Sequence, residues 1–415
     1  MASFSLGALV AVSLSLSACG GSDSPADPLN PVTKPDPVTV PTMVVTGRGT
    51  ITNRYSAEVW ARGNHAYTTT WGSRGNPQVP GNTIYIWDVR AAPILVDSTV
   101  VPDVRPETPI RTLGDVQVSD DGKLLVVPTE LTPGSIEIYD LTDPVKPRSL
   151  ARFTSPNMTR GVHTCELQRV NGTLYAFLSV NNATTHPSRL MIVDLSDPSK
   201  PTEVMFRDMG NPFIHDVFVR DGLLFTALWN DGMVIWDIGG GGKGGTLRNP
   251  VEIGRLVTKN GEVHNIWWFH DPVTAEKKYA FVGEEAPGAL LSASSGDIHV
   301  VDISNPALPR EVAFFSAPGA GTHNFSMDEA RGLLYAAYYN GGVQVLDVRG
   351  NLGTCTAAQK SADGRCDLRL MNRLVATGLL NQNTPVYVWG VFFAGDAVYA
   401  SDMNNGIWKL APVTR

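Results

Sequence analysis

The sequence predicts an all-β protein, and three observations carry that prediction. Of its 415 residues, 43% are hydrophobic and 18% are charged, and the chain contains 40 Gly and 29 Pro. Such a composition is typical of a protein with many short strands and turns. Segments that alternate apolar and polar residues recur along most of the chain, and Asp-Gly, Asn-Gly and Asp-Pro pairs that favour tight turns separate them.

A repeated unit of four strands makes the prediction more specific. A hairpin of two strands occurs seven times, for example as HDVFVRDGLLFTA and HNFSMDEARGLLYAA, and a third strand follows each copy. The third strands read TIYIWDV, SIEIYDL, RLMIVDL, GMVIWDI, DIHVVDI, GVQVLDV and GIWKL. A fourth strand follows most of them after a turn. Seven four-stranded units predict a seven-bladed β-propeller over residues 42–415.

The two ends of this region predict how the ring closes. The seventh unit stops after IWKLAP without a fourth strand, whereas the segment TMVVTGRG, residues 42–49, stands alone before the first unit. We expect this N-terminal strand to complete the last blade, because that pairing leaves no open sheet edge.

The third-strand motifs also carry a family resemblance. The segments LMIVDLSDP and IHVVDISNP resemble the LVIVD-repeat family of bacterial cell-surface propellers, and the similarity extends over nearly all of the chain after residue 41. The resemblance implies a propeller fold and a surface location. It implies no activity, which has to be argued from a site.

The N-terminus predicts export and a lipid anchor. Residues 6–16 form an apolar run that is too short to span a bilayer and suits the core of a signal peptide, residues 1–18. The run ends in LSAC, which resembles a bacterial lipobox and implies cleavage before Cys19 and diacylation of its sulfur. By analogy, Gly20 favours the outer membrane; a plain secretory signal is the alternative. Residues 19–41 are rich in Ser, Asp and Pro and predict a disordered tether.

The remaining cysteines indicate the redox compartment of the protein, and the net charge limits the classes of partner that it can bind. Cys355 and Cys366 flank a polar insertion, and an oxidising compartment favours a disulfide between them. Cys165 lies in an apparent strand, either as a small buried residue or as a thiolate ligand that would favour copper. With a net charge of −7 and no basic stripe, the chain is not expected to bind nucleic acid.

One position of the repeat carries the candidate site. Four consecutive repeats place a histidine at the start of the first strand: His163, His215, His264 and His323. The first strand of each blade lines the central channel of a propeller. The four imidazoles are therefore expected to form an arc around one mouth of the channel.

The residue that follows this position is also mostly polar. It is Thr164 or Gly390 in two repeats, and a carboxylate or amide in the others: Glu58, Asp115, Asp216, Asn265 and Asn324. Because neighbouring residues of a strand point to opposite sides, we expect this second set to face the other side of each innermost strand. From there it would support the imidazoles.

The turns between second and third strands open on the same face. Three are minimal, and four are expanded, at residues 71–82, 128–135, 180–189 and 283–297. Binding sites commonly form on such loops over a rigid scaffold.

Two interpretations of the histidines remain open. Each imidazole could fill a structural slot by bonding to the backbone of the next blade. Alternatively, the four could bind one copper or zinc ion, with the second set fixing their tautomers. The oxygen donors of the second set would instead suit calcium, although the intervening histidines favour a softer metal.

Two functions follow from these interpretations. The first is a lipid-anchored, extracytoplasmic binding or scaffolding module at the outer membrane or cell surface, which holds a protein or glycan partner with the channel mouth and the expanded loops. The alternative is a metalloenzyme, a copper- or zinc-dependent oxidoreductase that uses the four-histidine site. Contact with the membrane is expected through the lipid anchor alone.

Overall fold

The alternating segments form short antiparallel strands. The computed structural model describes residues 40–73, 80–102, 112–130, 134–158, 160–182, 187–210, 213–380 and 382–414. The predicted signal peptide, Cys19 and nearly all of the predicted tether lie outside these residues. The described chain contains no helix that is long and apolar enough to cross a membrane.

Within the described residues the strands build seven main sheets, the blades, and the all-β, seven-bladed prediction is confirmed. The N-terminal strand is β1 (Val45–Gly49). Blade 1 contains β2 (Arg54–Arg62), β3 (His65–Ser73), β4 (Thr83–Asp88) and β5 (Ile94–Val100). Blade 2 contains β6 (Gln117–Val118), β7 (Leu124–Thr129), β8 (Ser135–Asp140) and β9 (Arg148–Phe153). Blade 3 contains β10 (Val162–Val170), β11 (Thr173–Val180), β12 (Ser188–Asp194) and β13 (Thr202–Gly210).

The second half of the chain continues the pattern. Blade 4 contains β14 (Asp216–Arg220), β15 (Leu223–Ala227), β16 (Met233–Asp237) and β17 (Val251–Leu256). Blade 5 contains β18 (Val263–Trp268), β19 (Tyr279–Glu284), β22 (Ile298–Asp302) and β23 (Arg310–Phe315), with a short hairpin of β20 (Ala286–Pro287) and β21 (Ser294–Ser295) between its second and third strands. Blade 6 contains β24 (Phe325–Asp328), β25 (Leu333–Ala337), β26 (Val343–Asp347) and β28 (Leu374–Gly378). Blade 7 contains β29 (Val388–Phe393), β30 (Val398–Asp402) and β31 (Gly406–Leu410).

The fourth strand of blade 7 comes from the other end of the described chain. Strand β1 pairs antiparallel with β31, and Val45 and Gly49 lie opposite Leu410 and Ile407. Just before β1, the amide of Met43 donates a hydrogen bond of 2.7 Å to the carbonyl of Thr377 in blade 6. The seventh sheet thus has the strand order β1-β31-β30-β29.

The core lies between adjacent blades. Alternate residues of each sheet pack against the next sheet, as Ile136 and Ile138 of blade 2 do with Leu178 and Met191 of blade 3. Burial of these aliphatic side chains is the main source of stability for a propeller of this kind. The innermost strands of adjacent blades also contact one another, and their remaining side chains point into the channel.

An insertion between β26 and β28 covers the outer edge of blade 5. Its strand β27 (Cys366–Asp367) pairs in parallel with β23, and a 3₁₀ turn spans Ala357–Gln359. Cys355 and Cys366 form a disulfide within it, with their Cα atoms 5.9 Å apart. The guanidinium of Arg365 forms an ion pair with Glu311 on β23. The insertion therefore shields a sheet edge that would otherwise be open.

Candidate metal centre at the channel mouth

A β-bulge at the start of the innermost strands determines which side chains reach the channel. In blade 3, Val162 lies opposite Val180 and Thr164 opposite Ser179, so His163 is an extra residue without a cross-strand partner of its own. His264 and Trp389 occupy the same extra position in blades 5 and 7. A bulge interrupts the alternation of a strand. As a result, both residues of the repeated pair, the histidine and the residue after it, face the channel.

The side chains next to this pair show that the alternation between core-facing and channel-facing residues is interrupted. In blade 4, Ile214 and Val217 lie in the core, whereas Asp216 between them lines the channel. The expectation that the second set faces the other side of its strand is therefore wrong. Its members line the channel just below the histidines: Glu58, Asp115, Asp216, Asn265 and Asn324.

The same bulge places Cys165 on the opposite side of the strand from the one that the sequence predicts. Counting by two from His163 places this thiol on the channel side, but the extra residue turns it into the core with Met158, Val180 and Met191. Burial raises the pKa of the thiol well above its usual value. Cys165 is thus a small core residue rather than a metal ligand, and Glu166 takes the place in the channel.

The four histidines converge as the sequence predicts. Their ring centroids are 4.2 Å apart from His163 to His215, 3.9 Å from His215 to His264 and 4.1 Å from His264 to His323. The Nε2 atoms of His163 and His215 are separated by 3.0 Å. Residues up to 160 positions apart in the chain thereby form one continuous arc, since each blade supplies one ring.

The histidines differ in their hydrogen bonding. His323 fits the structural interpretation, because its Nδ1 lies 2.6 Å from the carbonyl oxygen of Trp389 on the next blade and donates to it. By contrast, both ring nitrogens of His264 and Nδ1 of His215 have no hydrogen-bond partner among the described residues. These two residues are only 1% and 6% exposed. Buried polar atoms without partners are rare and call for an explanation such as a bound ion.

Two carboxylates of the expanded loops complete the site, and the sequence analysis did not single them out. Glu285 follows β19, and its Oε2 lies 3.6 Å from Nε2 of His215 and 3.7 Å from Nε2 of His264. Glu130 follows β7, and its Oε2 lies 3.0 Å from Nδ1 of His163. The expanded turns at 128–135 and 283–297 are the only signal that could have pointed to them.

The electrostatics keep the central imidazoles neutral. Burial, together with the neighbouring imidazoles, lowers the pKa of His215 and of His264 well below the usual value. Burial lowers the pKa of His323 to about 3. For His163 burial acts in the same direction, but the contact with Glu130 and the charges of Glu285 and Asp216 together outweigh it and raise the pKa. Neutral imidazoles expose a lone pair, which is the form that binds metals.

Aromatic side chains hold the arc from outside. The ring of Trp229 stacks on His215 with centroids 5.5 Å apart, and the ring of Tyr339 lies 4.9 Å from His323. The hydroxyl of Tyr339 donates a hydrogen bond to Oε1 of Glu285. Trp229 and Tyr339 have φ of 46° and 41°, a left-handed conformation that bulky residues rarely adopt. Such local strain is often found where side chains must be placed for function.

The cluster of His215, His264 and Glu285 has the dimensions of a metal site. One ligand atom from each residue lies within 4.8 Å of the others. Two ligands bound tetrahedrally to zinc at about 2.0–2.1 Å lie about 3.3 Å apart. The separations of 3.6 and 3.7 Å from Glu285 to the two histidines, and of 3.0 Å between His163 and His215, are close to that value.

Below the histidines, the second set links neighbouring innermost strands. Asp115 accepts a hydrogen bond of 2.8 Å from the amide of Cys165 on the next blade, and the hydroxyl of Thr164 donates one of 2.8 Å to the carbonyl of His215. Glu58 reaches across blade 7 to the amide group of Asn324. Gly390 makes this possible, since a Cβ there would lie 1.9 Å from Oε1 of Glu58.

These channel carboxyls are unusually basic. Burial raises the pKa of Glu58 to about 8, that of Asp216 to about 7 and that of Asp115 to about 6, and in the first two the charge of a neighbouring carboxylate adds to the effect. The channel therefore carries less negative charge at neutral pH than its composition suggests.

Comparison with known families identifies the repeat. The family model described as "LVIVD repeat" matches residues 175–207 and 292–316. The chain carries LVIVD repeats. Both LVIVD matches begin after the innermost strand of their blade, so they include none of the four arc histidines. The match therefore supports the repeated propeller unit and gives no information about the channel mouth.

Comparison with solved structures covers the propeller beyond the two segments that match the LVIVD repeat. A chain in the "Crystal Structure of Mitotic Checkpoint Complex" superposes with a TM-score of 0.56 and 12% sequence identity, covering 95% of this chain and 100% of that one. At that identity the likeness shows the fold alone. A search of curated proteins found no match.

Proposed function

We propose that this propeller binds one divalent transition-metal ion, copper or zinc, at the mouth of its channel. His215, His264 and Glu285 are the main ligands, and Nε2 of His163 completes the set. The observation that carries the proposal is the pair of buried imidazoles with unpartnered nitrogens beside a buried carboxylate. An unsatisfied buried polar group costs about 1–3 kcal/mol, and a bound ion would remove that cost.

The partners of the outer histidines fit the same proposal. A ligating imidazole commonly donates its second nitrogen to a carboxylate or a backbone carbonyl, which fixes the tautomer. Nδ1 of His323 donates to the carbonyl of Trp389, and Nδ1 of His163 lies 3.0 Å from Oε2 of Glu130, so in both rings Nε2 is the nitrogen that can bind the metal. The buried Glu285 is in turn held by the hydroxyl of Tyr339.

A metalloenzyme, a copper- or zinc-dependent oxidoreductase, is the catalytic form of this proposal. Catalytic zinc sites commonly use three protein ligands and leave one position for water or substrate, so in the catalytic form His215, His264 and Glu285 hold the ion and Nε2 of His163 leaves the fourth position open. The half-exposed rings of Phe213 and Trp229 border His215, with centroid distances of 5.2 and 5.5 Å, and they offer an apolar wall for a substrate that enters the mouth.

We also propose a second role, that of a binding module held at the cell surface by a lipid on Cys19. Half-exposed aromatic rings such as Trp71 and Trp229 lie at the expanded-loop face, where a protein or glycan partner would dock. A Cys19→Ala variant is expected to lose radiolabelled palmitate and to leave the membrane fraction. Continued membrane association of that variant would overturn the anchor.

The metal proposal is tested by elemental analysis of the protein purified without a histidine tag. We expect about one copper or zinc ion per chain, and loss of that ion in the His215→Ala/His264→Ala double variant. His65→Ala is the matched control, because His65 lies at the β2–β3 hairpin and is not part of the arc.

A thermal measurement provides a second readout. Added zinc or copper should raise the melting temperature of the metal-free protein and of the His65→Ala control, because a ligand that binds the native state stabilises it. The double variant should show no such shift. A metal-free protein whose melting temperature does not respond to either ion would overturn the proposal.

A further inference from the structure

A second group of polar side chains lies in the channel below the histidines. The innermost strands enclose a cavity of about 180 Å³, which is lined by four carboxyl groups: Glu58, Asp115, Glu166 and Asp216. Its lining residues include no Lys or Arg. The four carboxyl groups of this cavity therefore have no cationic side chain beside them that would stabilise their charged form.

Three of the four carboxyl groups have structural partners, and that of Asp216 is hydrogen-bonded to the backbone amide of Val217 and to the side chain of Thr164. Asp115 accepts hydrogen bonds from the amides of Val116 and Cys165, at 2.6 and 2.8 Å, and Glu58 accepts one from the amide of Val59 at 2.9 Å. Glu166, in contrast, has no hydrogen-bond or ion-pair partner among the described residues. Burial, and then the charge of Asp216 on the next blade, raises its pKa well above the usual value.

Asn265 gives an independent indication of a ligand. This residue follows His264 on blade 5, lines the same cavity and is only 4% exposed. Its Oδ1 has no hydrogen-bond donor among the described residues. The opposite strand leaves room for this amide, because a Cβ on Gly283 would lie 2.1 Å from Oδ1. An unpartnered buried carbonyl oxygen next to carboxyl groups provides the oxygen donors that a hard cation prefers.

We propose that Glu166, Asp216 and Asn265, on three consecutive blades, bind a calcium ion inside the channel. Calcium accepts six to eight oxygen ligands at about 2.3–2.6 Å in flexible geometry, and it takes water as part of that shell. The cavity has room for these waters. The site differs from the channel mouth in its donors, which are all oxygen, and it does not depend on the transition-metal proposal.

Luminescent terbium is the most direct probe, because Trp60 and Trp267 line the cavity. A terbium ion bound there should emit when tryptophan is excited, and added calcium should displace it. The Trp267→Phe variant should show weaker terbium emission and an unchanged affinity for calcium. Emission that calcium does not reduce would overturn the proposal.

Calcium titration calorimetry tests the ligands. One calcium ion per chain is expected, both for the natural chain and for the His215→Ala/His264→Ala variant, which separates this site from the channel mouth. In Glu166→Gln/Asp216→Asn the affinity should fall at least about a hundredfold, since both charged oxygen ligands are replaced by neutral amides. The matched control Asp120→Asn/Asp121→Asn removes two exposed carboxylates and should keep the affinity of the natural chain.

Several outcomes would contradict the site. They are the absence of calcium binding at millimolar concentration, an affinity that is unchanged in Glu166→Gln/Asp216→Asn, and equal losses in the control pair. Binding of magnesium in preference to calcium would also overturn it, because magnesium requires closer octahedral geometry.

Discussion

At the scale of single residues, His264 and His323 show that one repeat position occurs in two different hydrogen-bonding environments. Both are buried, and both lie in the arc. His323 donates to the backbone of the next blade, so removing its ring breaks a hydrogen bond. His264 has no partner at either nitrogen, so its retention in the core is unexplained without a ligand.

This difference predicts that replacing each histidine by leucine changes the free energy of unfolding differently. In metal-free protein, His323→Leu should lower the free energy of unfolding by about 1–3 kcal/mol, because the carbonyl of Trp389 loses its donor. His264→Leu should leave it unchanged or raise it, since two unsatisfied nitrogens are removed. Chemical denaturation of the two variants measures both effects. A loss for His264→Leu as large as that for His323→Leu would favour a purely structural arc.

At the scale of strands and loops, the arrangement follows from the β-bulge. The repeat identified the innermost strands and the shared histidine position, because both are periodic in the sequence. The orientation predicted from strict alternation was wrong for Cys165 and for the second set, because a β-bulge adds one residue to the strand. A single sequence carries no signal of such a bulge. Glu130 and Glu285 were missed because they belong to expanded turns, where no period identifies the side chains that reach the channel.

A further buried ionic cluster lies in blade 5 and includes one residue of the insertion beside it. His299 lies 2.8 Å from Glu311 at Nδ1 and 3.2 Å from Glu284 at Nε2, and Arg365 of the insertion pairs with the same Glu311. Burial by itself lowers the pKa of His299, but the two carboxylates outweigh it and raise the pKa to about 9. The imidazolium thus connects the third strand of the blade to the insertion.

The raised pKa predicts a pH dependence of stability. Because the folded pKa of about 9 lies above the usual value of 6.5, the contribution of His299 is complete below about pH 6.5 and is lost as pH rises through 9. The natural chain should lose on the order of 3 kcal/mol over this window relative to His299→Gln. Denaturation at a series of pH values measures the difference. Parallel curves for the two proteins would show that the cluster does not contribute in this way.

At the scale of the whole molecule, the channel depends on closure of the ring. The strand that completes blade 7 comes from residues 45–49, and Met43 before it is buried against blades 6 and 7. This single N-terminal segment therefore joins the first and last parts of the described chain. The channel cavity is lined by residues of all seven innermost strands or their immediate flanks.

Truncation tests this dependence. A chain that begins at residue 50 leaves the edge of β31 unpaired, and it should lose at least about 3 kcal/mol of stability and associate through the open edge. A chain that begins at residue 40 keeps β1 and should match the full-length protein. Melting temperature and sedimentation velocity report the two effects. Equal stability and a monomeric state for both truncations would contradict a closing role for β1.

The central claim is that four distant repeats bring their imidazoles together to bind a metal ion at the channel mouth. It is tested most directly by anomalous diffraction at the zinc edge from crystals of the untagged protein soaked with zinc. The account predicts one strong peak within bonding distance of Nε2 of His215, Nε2 of His264 and Oε2 of Glu285. A map with no peak there, or with zinc only at histidines such as His65 outside the arc, would contradict it.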